Sequence, residues 1–229
     1  MKEMIQEQID FQEKLNTGTS WTRNPDFERD GYLVLRDLIN PQILYRPVPE
    51  ERGQINYWGT KMDQFVHHPL EQQVEGSLAC YWHPQYREAH TLIRLRLEEV
   101  IGRKLYNTYY YDRFYFVGQD LKNHADRDAC EISVSIHISS NLEEPWPLWI
   151  KSVSGENRSV NLRTGDGMLY KGCERPHWRD PLQSRLKPQS RWDKLWRKKR
   201  VDDTYYHQVF FHYVLADGQR SHCAFDKAR

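Results

Sequence analysis

Two histidines and one aspartate are the residues whose types and spacing best suit the binding of a metal ion. His124 and Asp126 stand two positions apart, and His177 follows in the segment PHWRD. Alternate residues of an extended strand share a face, so His124 and Asp126 can reach one ion, and a distant strand can supply a third ligand. Two imidazoles and one carboxylate leave open positions on Fe(II) for a co-substrate and dioxygen. The His-x-Asp tripeptide is not specific by itself, because most histidines are structural residues.

The composition excludes several classes of protein. Of the 229 residues, 38% are hydrophobic and 28% are charged. The mean hydropathy is -0.87, and no run approaches the roughly 20 apolar residues of a membrane-spanning helix. The 13% of aromatic residues argues against disorder, because burying them can offset the entropy lost on folding. A formal net charge of +1 gives no global field that would attract nucleic acid.

The beginning of the chain and its cysteines predict a cytoplasmic protein. Residues 1–15 are charged throughout and lack the apolar segment of a signal peptide. The cysteines show no CxxC spacing, which argues against a structural zinc site and favours buried thiols at Cys80, Cys130, Cys173 and Cys223.

Helices and one strand are predicted before residue 105. Apolar spacing predicts a short amphipathic helix over 2–15 and a longer helix over 85–101 that ends at Gly102. The apolar and β-branched segment 31–38 predicts a strand, and the prolines and glycines of 41–59 predict an irregular excursion. We expect these elements to support a core formed by the rest of the chain.

After residue 105 the sequence predicts a series of short strands separated by turn-forming residues, which is typical of a sandwich or barrel. Helices first and strands afterwards indicate a β core with helices packed on one outer face. The predicted strands are 106–117, 130–138, 146–153, 158–163, 167–171, 174–179 and 205–215.

The second of these strands has one polar and one apolar face. Ser133, Ser135 and His137 alternate with isoleucine and valine. A barrel wall needs this pattern if a wet site lies inside and helices cover the outside. An ordinary half-solvated strand has the same pattern.

Taken together, these features resemble those of the Fe(II)/2-oxoglutarate-dependent dioxygenases, particularly the prolyl-4-hydroxylase-like members and related phage-type and bacterial oxygenases. The segment DFERDGYLVLRDL also looks like the first strand of several such enzymes. The other features that carry the resemblance are the run Tyr115-x-x-Gly118-x-x-Leu121-x-x-His124-x-Asp126, the strand after it, a Gly165-Asp166 turn and His177.

The resemblance covers roughly residues 105–215 and implies a mainly β fold with flanking helices. Its core would be a double-stranded β-helix, the jelly-roll of cupin-like proteins, with Fe(II) held by His124, Asp126 and His177. We expect 1–229 to form a single catalytic domain in which 1–104 supports the 105–215 core and 183–203 is a basic insertion.

The resemblance also implies a cation for the far carboxylate of 2-oxoglutarate, usually an Arg or Lys on the strand after the second histidine. Here that strand, 205–215, contains neither. We expect Arg179 to substitute, because it lies two residues beyond His177 and its guanidinium can grip a carboxylate with two hydrogen bonds. An ion pair with Asp180 or Asp166 is the structural alternative.

We expect further residues of the core to contact the co-substrate. Arg113 and then His207 are the next candidate cations, and Tyr115 would offer a hydroxyl. His137 stands where family members usually have a tyrosine that touches the co-substrate carboxylate, and Ser133 shares its face.

The implied activity consumes 2-oxoglutarate and O2, releases succinate and CO2, and hydroxylates an unactivated C–H bond of a small-molecule or peptidyl substrate. Asp126 favours hydroxylation over halogenation, because halogenating relatives have a small residue where this carboxylate would be. A second hypothesis is a non-oxidative cupin-like metal-binding barrel, which would be an isomerase, a hydrolase or a binding module.

The basic segment 186–200 leaves two further interpretations open. It favours an anionic substrate, and with Trp192 and Trp196 it suits a nucleic-acid or phosphate binder, although a solvated insertion helix has the same pattern. Four other tryptophans are candidates for a substrate pocket or for the core: Trp58, Trp82, Trp146 and Trp149.

Overall fold

The structure is a computed structural model that describes residues 23–48, 73–74, 76–186 and 202–225. Three predicted features lie outside the described residues in whole or in part. They are the helix at 2–15, the second part of the excursion with Trp58, and most of the basic insertion with Trp192 and Trp196.

Antiparallel strands arranged in two sheets form the core of the part of the chain that the structure describes. In chain order they are β1 (Tyr32–Leu35), β2 (Leu78–Tyr81), β3 (Leu105–Phe116), β4 (Leu121–His124), β5 (Ile132–Ser140), β6 (Leu148–Lys151), β7 (Asn157–Val160), β8 (Gly167–Tyr170), β9 (His177–Arg179) and β10 (Tyr205–Leu215). The larger sheet has the order β1-β8-β5-β10-β3-β2, and the smaller has the order β4-β9-β6-β7. This confirms the predicted mainly β, double-stranded β-helix fold.

The two sheets face each other across a buried interior. Leu148 and Ile150 of the smaller sheet pack against Met168 and Tyr170 of the larger one. Each of these side chains is almost wholly buried, and each contributes about 1.5–3 kcal/mol of transfer free energy as an upper estimate. The interior between the sheets is the space into which the candidate site residues project.

A helix covers the outer face of the larger sheet, as the sequence predicts. The structure contains α1 (Pro25–Asp30) and α2 (Arg87–Ile101), and α2 ends at Gly102, whose left-handed backbone donates its N–H to the carbonyl of Glu98. Ile93 and Leu97 of α2 are buried in one cluster with the apolar residues of β5, including Val134. The apolar face of β5 therefore lies under α2, as expected for a barrel wall whose outside is covered by helices.

The polar face of β5 points into the interior and is buried rather than solvated. Ser133 and Ser135 are fully buried, and His137 is 7% exposed. Strand β10 lies beside β5 and alternates in the same way, with Tyr206, Gln208, Phe210 and His212 occupying every second position.

Some elements were not predicted from the sequence. They include α1, β2 and β4, and β1 is shorter than the predicted strand over 31–38. Helix α1 begins because Asn24 accepts a hydrogen bond from the backbone N–H of Asp26 and proline occupies the first turn. Strand β1 ends before Asp37, whose positive φ of 48 breaks the extended backbone.

The predictions about membrane-spanning segments and about the burial of the cysteines can both be compared with the described residues. No helix among them is long and apolar enough to cross a membrane. None of the four cysteines forms a disulfide in the described part of the chain. Cys80 and Cys130 are buried as predicted, whereas Cys173 and Cys223 are only half-buried, so the prediction is wrong at those two positions.

We expect the protein to lose stability in mild acid, because a buried neutral histidine binds a proton more readily in the unfolded chain. His90 packs among Tyr110, Phe211 and Tyr213, and burial lowers its pKa to about 3. Between about pH 6.5 and 4 the unfolded chain binds a proton at this position that the folded protein does not. The free energy of unfolding should therefore fall with decreasing pH, by up to about 1.4 kcal/mol per pH unit for this histidine.

Denaturant titrations between pH 7 and 4 test this expectation. His90→Phe should flatten the pH dependence of the unfolding free energy, and the exposed His222→Gln should leave it unchanged. An unaltered slope in His90→Phe would show that His90 is already protonated in the folded protein.

Candidate metal centre

The pairing of β4 with β9 brings the three predicted metal ligands together. His124 lies directly opposite His177 in the register of these strands, and their ring centroids are 4.4 Å apart. Asp126 follows β4, and its Oδ1 lies 3.4 Å from Nε2 of His124 and 3.7 Å from Nε2 of His177. One ligand atom from each residue lies within 4.8 Å of the others, as a shared metal ion requires.

Backbone carbonyls orient both imidazoles toward Asp126. Nδ1 of His124 donates to the carbonyl of Lys122 at 2.8 Å, and Nδ1 of His177 donates to the carbonyl of Arg175 at 3.0 Å. In the neutral form of each ring, Nε2 therefore has no proton and faces the carboxylate. Metal-binding histidines are usually oriented in this way, by a hydrogen bond from the nitrogen that does not bind the metal.

The charge states also suit a metal ion. Burial would raise the pKa of Asp126, but the imidazoles of His177 and His124 lower it to about 2, so the carboxylate is ionised. Burial lowers the pKa of His177, which favours its neutral form. The side chains of His124 and Asp126 remain 21% and 11% exposed, so one side of the group is open.

A glycine that sequence reasoning missed makes room for the carboxylate. The carbonyl of Gly172 accepts the backbone N–H of Asp126 at 2.9 Å. A Cβ atom at position 172 would lie 2.3 Å from the carbonyl oxygen of Cys130 and 2.5 Å from Oδ2 of Asp126. Nothing in the local sequence marks this glycine, because the atoms that it must approach come from distant segments.

Ser133 lies behind Asp126 and away from the expected co-substrate contact. Its hydroxyl is 3.3 Å from Oδ2 of Asp126, 3.1 Å from the carbonyl oxygen of Cys130 and 2.9 Å from Nδ1 of His212. His212 was not singled out in the sequence, although its alternation with Gln208 and Phe210 on β10 would have placed it on the inner face.

Arg179 lies deep in the interior on the same strand as His177. Its guanidinium lies between the rings of Trp146 and Tyr206, 4.5 and 4.6 Å from their centroids. It donates to the carbonyl of Trp146, to the hydroxyl of Tyr206 and, at 3.0 Å, to Oε1 of Gln208. The predicted alternative of an ion pair with Asp180 or Asp166 is wrong for the described residues: Asp166 binds Arg36 and Arg163 instead.

Several buried polar atoms near Arg179 have no hydrogen-bond partner among the described residues. They are Nε of Arg179 itself, Nε2 of Gln208, the hydroxyl of Tyr115 and Nε2 of His137. Buried polar groups in proteins nearly always have partners, so several orphaned atoms together indicate a place for a polar ligand. This group of residues is called the Arg179 pocket below.

His137 offers this pocket an acceptor. Its Nδ1 donates to the carbonyl of Leu162 at 3.0 Å, and burial lowers its pKa to about 4, so Nε2 carries a lone pair near neutral pH. Tyr115 and Gln208 are the neutral residues of the pocket that can donate to a carboxylate.

The two other candidate cations lie in different places. Arg113 is buried on the inner face of β3, over the rings of Tyr111 and Tyr115. His207 is on the opposite face, where its Nε2 lies 3.1 Å from the carboxylate of Asp112, so its prediction as a co-substrate contact is wrong.

Two of the candidate tryptophans, Trp146 and Trp149, also lie in different places. Trp146 lines the Arg179 pocket, which supports its interpretation as a pocket residue. Trp149 stacks on Trp178 on the outer face of the smaller sheet and does not line the interior.

The comparisons with known proteins establish the fold. No protein-family model matches the sequence, and no curated protein matches it. A prolyl hydroxylase from Trichoplax adhaerens, solved with a hypoxia inducible factor peptide, is similar over 100% of this chain and 98% of that chain, with a TM-score of 0.54 and 9% identity. HygX from Streptomyces hygroscopicus, solved with nickel and 2-oxoglutarate, is similar over 84% of this chain and 85% of that chain (TM-score 0.53, 11% identity).

A third similar structure is the non-heme alpha-ketoglutarate-dependent epimerase SnoN from nogalamycin biosynthesis. It is similar over 93% of this chain and 84% of that chain, with a TM-score of 0.53 and 10% identity. The chain therefore has the double-stranded β-helix fold of the 2-oxoglutarate-dependent oxygenases, as the resemblance in the sequence implied.

Replacement of Gly172 by alanine should damage the metal centre directly. The new methyl group would have to displace the Cys130 carbonyl or the Asp126 carboxylate, because it cannot lie within 2.5 Å of both. We expect the free energy of unfolding to fall by about 1–3 kcal/mol and the affinity for Mn²⁺ to fall with it. Denaturant titration and isothermal calorimetry measure the two effects.

Gly118→Ala is the matched control for this variant. Gly118 has a positive φ of 81 but open space around it, so alanine there strains only the backbone. It should lose stability and keep its affinity for Mn²⁺. Wild-type affinity in Gly172→Ala would show that the Asp126 carboxylate does not bind the ion from this position.

Proposed function

We propose that this protein is an Fe(II)- and 2-oxoglutarate-dependent oxygenase whose metal ligands are His124, Asp126 and His177. The observation that carries the proposal is the convergence of two Nε2 atoms and one ionised carboxylate oxygen in a double-stranded β-helix, on the same strand as a buried arginine. This donor set leaves open positions on Fe(II), which bidentate 2-oxoglutarate and O2 would share.

The Arg179 pocket fits the far carboxylate of 2-oxoglutarate. Arg179 is 2% exposed, and every group among the described residues to which its guanidinium donates a hydrogen bond is uncharged. A buried cation without a carboxylate partner is costly, and an anionic ligand would offset that cost. Alternate residues of a strand lie roughly 6–7 Å apart, so Arg179 and His177 are separated by a distance that a five-carbon dicarboxylate can span.

The position of Arg179 also allows it to replace the Arg or Lys that β10 does not contain. Its side chain extends from β9 to Tyr206 and Gln208, the first inward-facing residues of β10. The guanidinium therefore lies against the strand from which family members usually supply this charge. Tyr115 and Gln208 would add neutral donors, and Arg113 remains a second candidate cation.

When bound, iron would supply the oxidation, in which one oxygen atom of O2 enters succinate as 2-oxoglutarate loses CO2 and the other is inserted into a substrate C–H bond. The protein would contribute positioning and the exclusion of water. His124, Asp126 and His177 would hold the ion, and Arg179 with Tyr115 would orient the co-substrate. The aromatic rings around these residues exclude water from most of the interior.

Hydroxylation of a small-molecule or peptidyl substrate is the reaction that we propose. Asp126 completes the ligand set, which favours transfer of a hydroxyl group over halogenation. The similar structures include one with hygromycin B bound and one with a peptide bound, so both substrate classes are compatible with the fold. The preference for an anionic substrate depends on the basic insertion, of which 187–201 lie outside the described residues.

Succinate release tests the proposal. The wild-type protein with Fe(II), ascorbate, 2-oxoglutarate and O2 should form succinate, faster with a true substrate than without one. Asp126→Ala should abolish this activity because it removes the only charged ligand, whereas the exposed Asp128→Asn should retain it. Equal turnover by Asp126→Ala would overturn the ligand assignment. Metal binding without any succinate formation would favour the non-oxidative barrel.

Co-substrate affinity tests the Arg179 pocket separately. Under anaerobic conditions, Fe(II) and 2-oxoglutarate should give a visible charge-transfer band whose titration reports the dissociation constant. Loss of the charged hydrogen bonds of Arg179 should weaken 2-oxoglutarate binding about 10- to 100-fold in Arg179→Gln, with no change in metal affinity. Arg185→Gln, which removes a surface ion pair with Asp203, should bind as wild type does. Unchanged binding by Arg179→Gln would transfer the role to Arg113.

A further inference from the structure

A buried chain of hydrogen bonds extends from Asp126 away from the two histidine ligands. Oδ2 of Asp126 lies 3.3 Å from the hydroxyl of Ser133, which lies 2.9 Å from Nδ1 of His212. Ser133 and His212 are cross-strand partners in the register of β5 and β10. The chain therefore joins the loop after β4 to the two central strands of the larger sheet.

The direction of these hydrogen bonds follows from their chemistry. Ionised Asp126 can only accept, so the single hydroxyl proton of Ser133 points toward Oδ2, where it is shared with the Cys130 carbonyl. Ser133 Oγ must then accept from Nδ1–H of His212.

His212 is itself held in place by its surroundings. Its ring centroid is 4.5 Å from that of Tyr109 and 5.8 Å from that of Tyr111. Its backbone carbonyl accepts a hydrogen bond from Nε2 of His90 at 3.0 Å. The imidazole can therefore act as a rigid support for a hydroxyl that would otherwise rotate.

We propose that Ser133 and His212 are positioning residues that fix the rotation of the Asp126 carboxylate. With Oδ2 bound by the Ser133 hydroxyl, only Oδ1 is directed at the Nε2 atoms of His124 and His177. Asp126 would then offer the ion a single oxygen and leave a further position open for co-substrate or O2. This inference depends on the proposed function, because it assigns a role within the same metal centre.

A competing interpretation uses the same atoms. Asp126, Cys130 and His212 also place potential ligand atoms within 4.8 Å of one another. The sulfur of Cys130, however, lies 3.2 Å from the hydroxyl of Tyr109, with which it can share a hydrogen bond. Nδ1 of His212 is directed at Ser133 at 2.9 Å, so we assign His212 to the support of that hydroxyl.

Co²⁺ titration followed by visible spectroscopy tests the proposal. Ser133→Ala should weaken Co²⁺ binding about 10- to 100-fold, as losses of groups that orient a ligand usually do. It should also change the d–d spectrum, because a freed carboxylate can bind the ion through both oxygens. Ser135→Ala is the matched control: it removes a neighbouring inward hydroxyl that contacts Tyr170 and not Asp126.

Two variants of His212 provide the second measurement. His212→Asn retains an N–H donor close to the position of Nδ1 and should keep the wild-type spectrum. His212→Leu removes the donor and should reproduce Ser133→Ala. Thermal unfolding of the metal-free proteins separates these effects from a loss of folding.

The outcomes distinguish this inference from the proposed function. If the wild-type protein fails to bind Co²⁺, the metal centre is wrong and the positioning role is wrong with it. If the wild type binds and Ser133→Ala shows the same affinity and spectrum, only the positioning role is overturned. A loss of affinity in Cys130→Ala as large as that in Ser133→Ala would assign the ion to Asp126, Cys130 and His212.

Discussion

The antiparallel pairing of β4 with β9 is the contact on which the candidate site depends. It sets His124 opposite His177, and the short loop after β4 then returns Asp126 to the same point. A shift of this register by one residue would turn either histidine to the other face of the sheet. The larger sheet supports this small strand pair, because Leu121 of β4 is buried in one cluster with Tyr115 of β3 and Tyr206 of β10.

Burial of polar groups is the second constraint, and it divides the interior into two ends. At one end the ionised carboxylate of Asp126 lies against the two imidazoles, which lower its pKa. At the other end Arg179 is surrounded by aromatic rings and neutral acceptors, and several nearby polar atoms have no partner among the described residues. Unsatisfied groups of this kind cost folding free energy, so their persistence is best explained by a ligand that satisfies them.

Local patterns in the sequence predicted the parts of the fold that depend on periodicity. The alternation in β5, the apolar spacing of α2 and the stop at Gly102 each specify their structure within a few residues. The three candidate metal ligands and Arg179 were proposed from residue type, spacing and resemblance. That the candidate ligands lie close together depends on the pairing register of β4 with β9, which no local sequence pattern specifies.

The remaining features were missed because they arise from contacts between distant segments. Gly172 matters only because Cys130 and Asp126 approach it, and His212 matters only because β10 pairs with β5. The wrong expectation for His207 has a different origin: alternation within β10 is a local pattern, and it already places His207 on the face opposite Gln208.

One consequence follows from the location of Arg179 before the basic insertion and not after it. Both the histidine and the guanidinium of β9 precede the segment that leads to β10, and an ion pair between Arg185 and Asp203 closes the base of that segment. The entropic cost of lengthening a closed loop grows only slowly with its length. The connection between β9 and β10 can thus change in length or charge during evolution without altering the positions of His177 and Arg179 on β9.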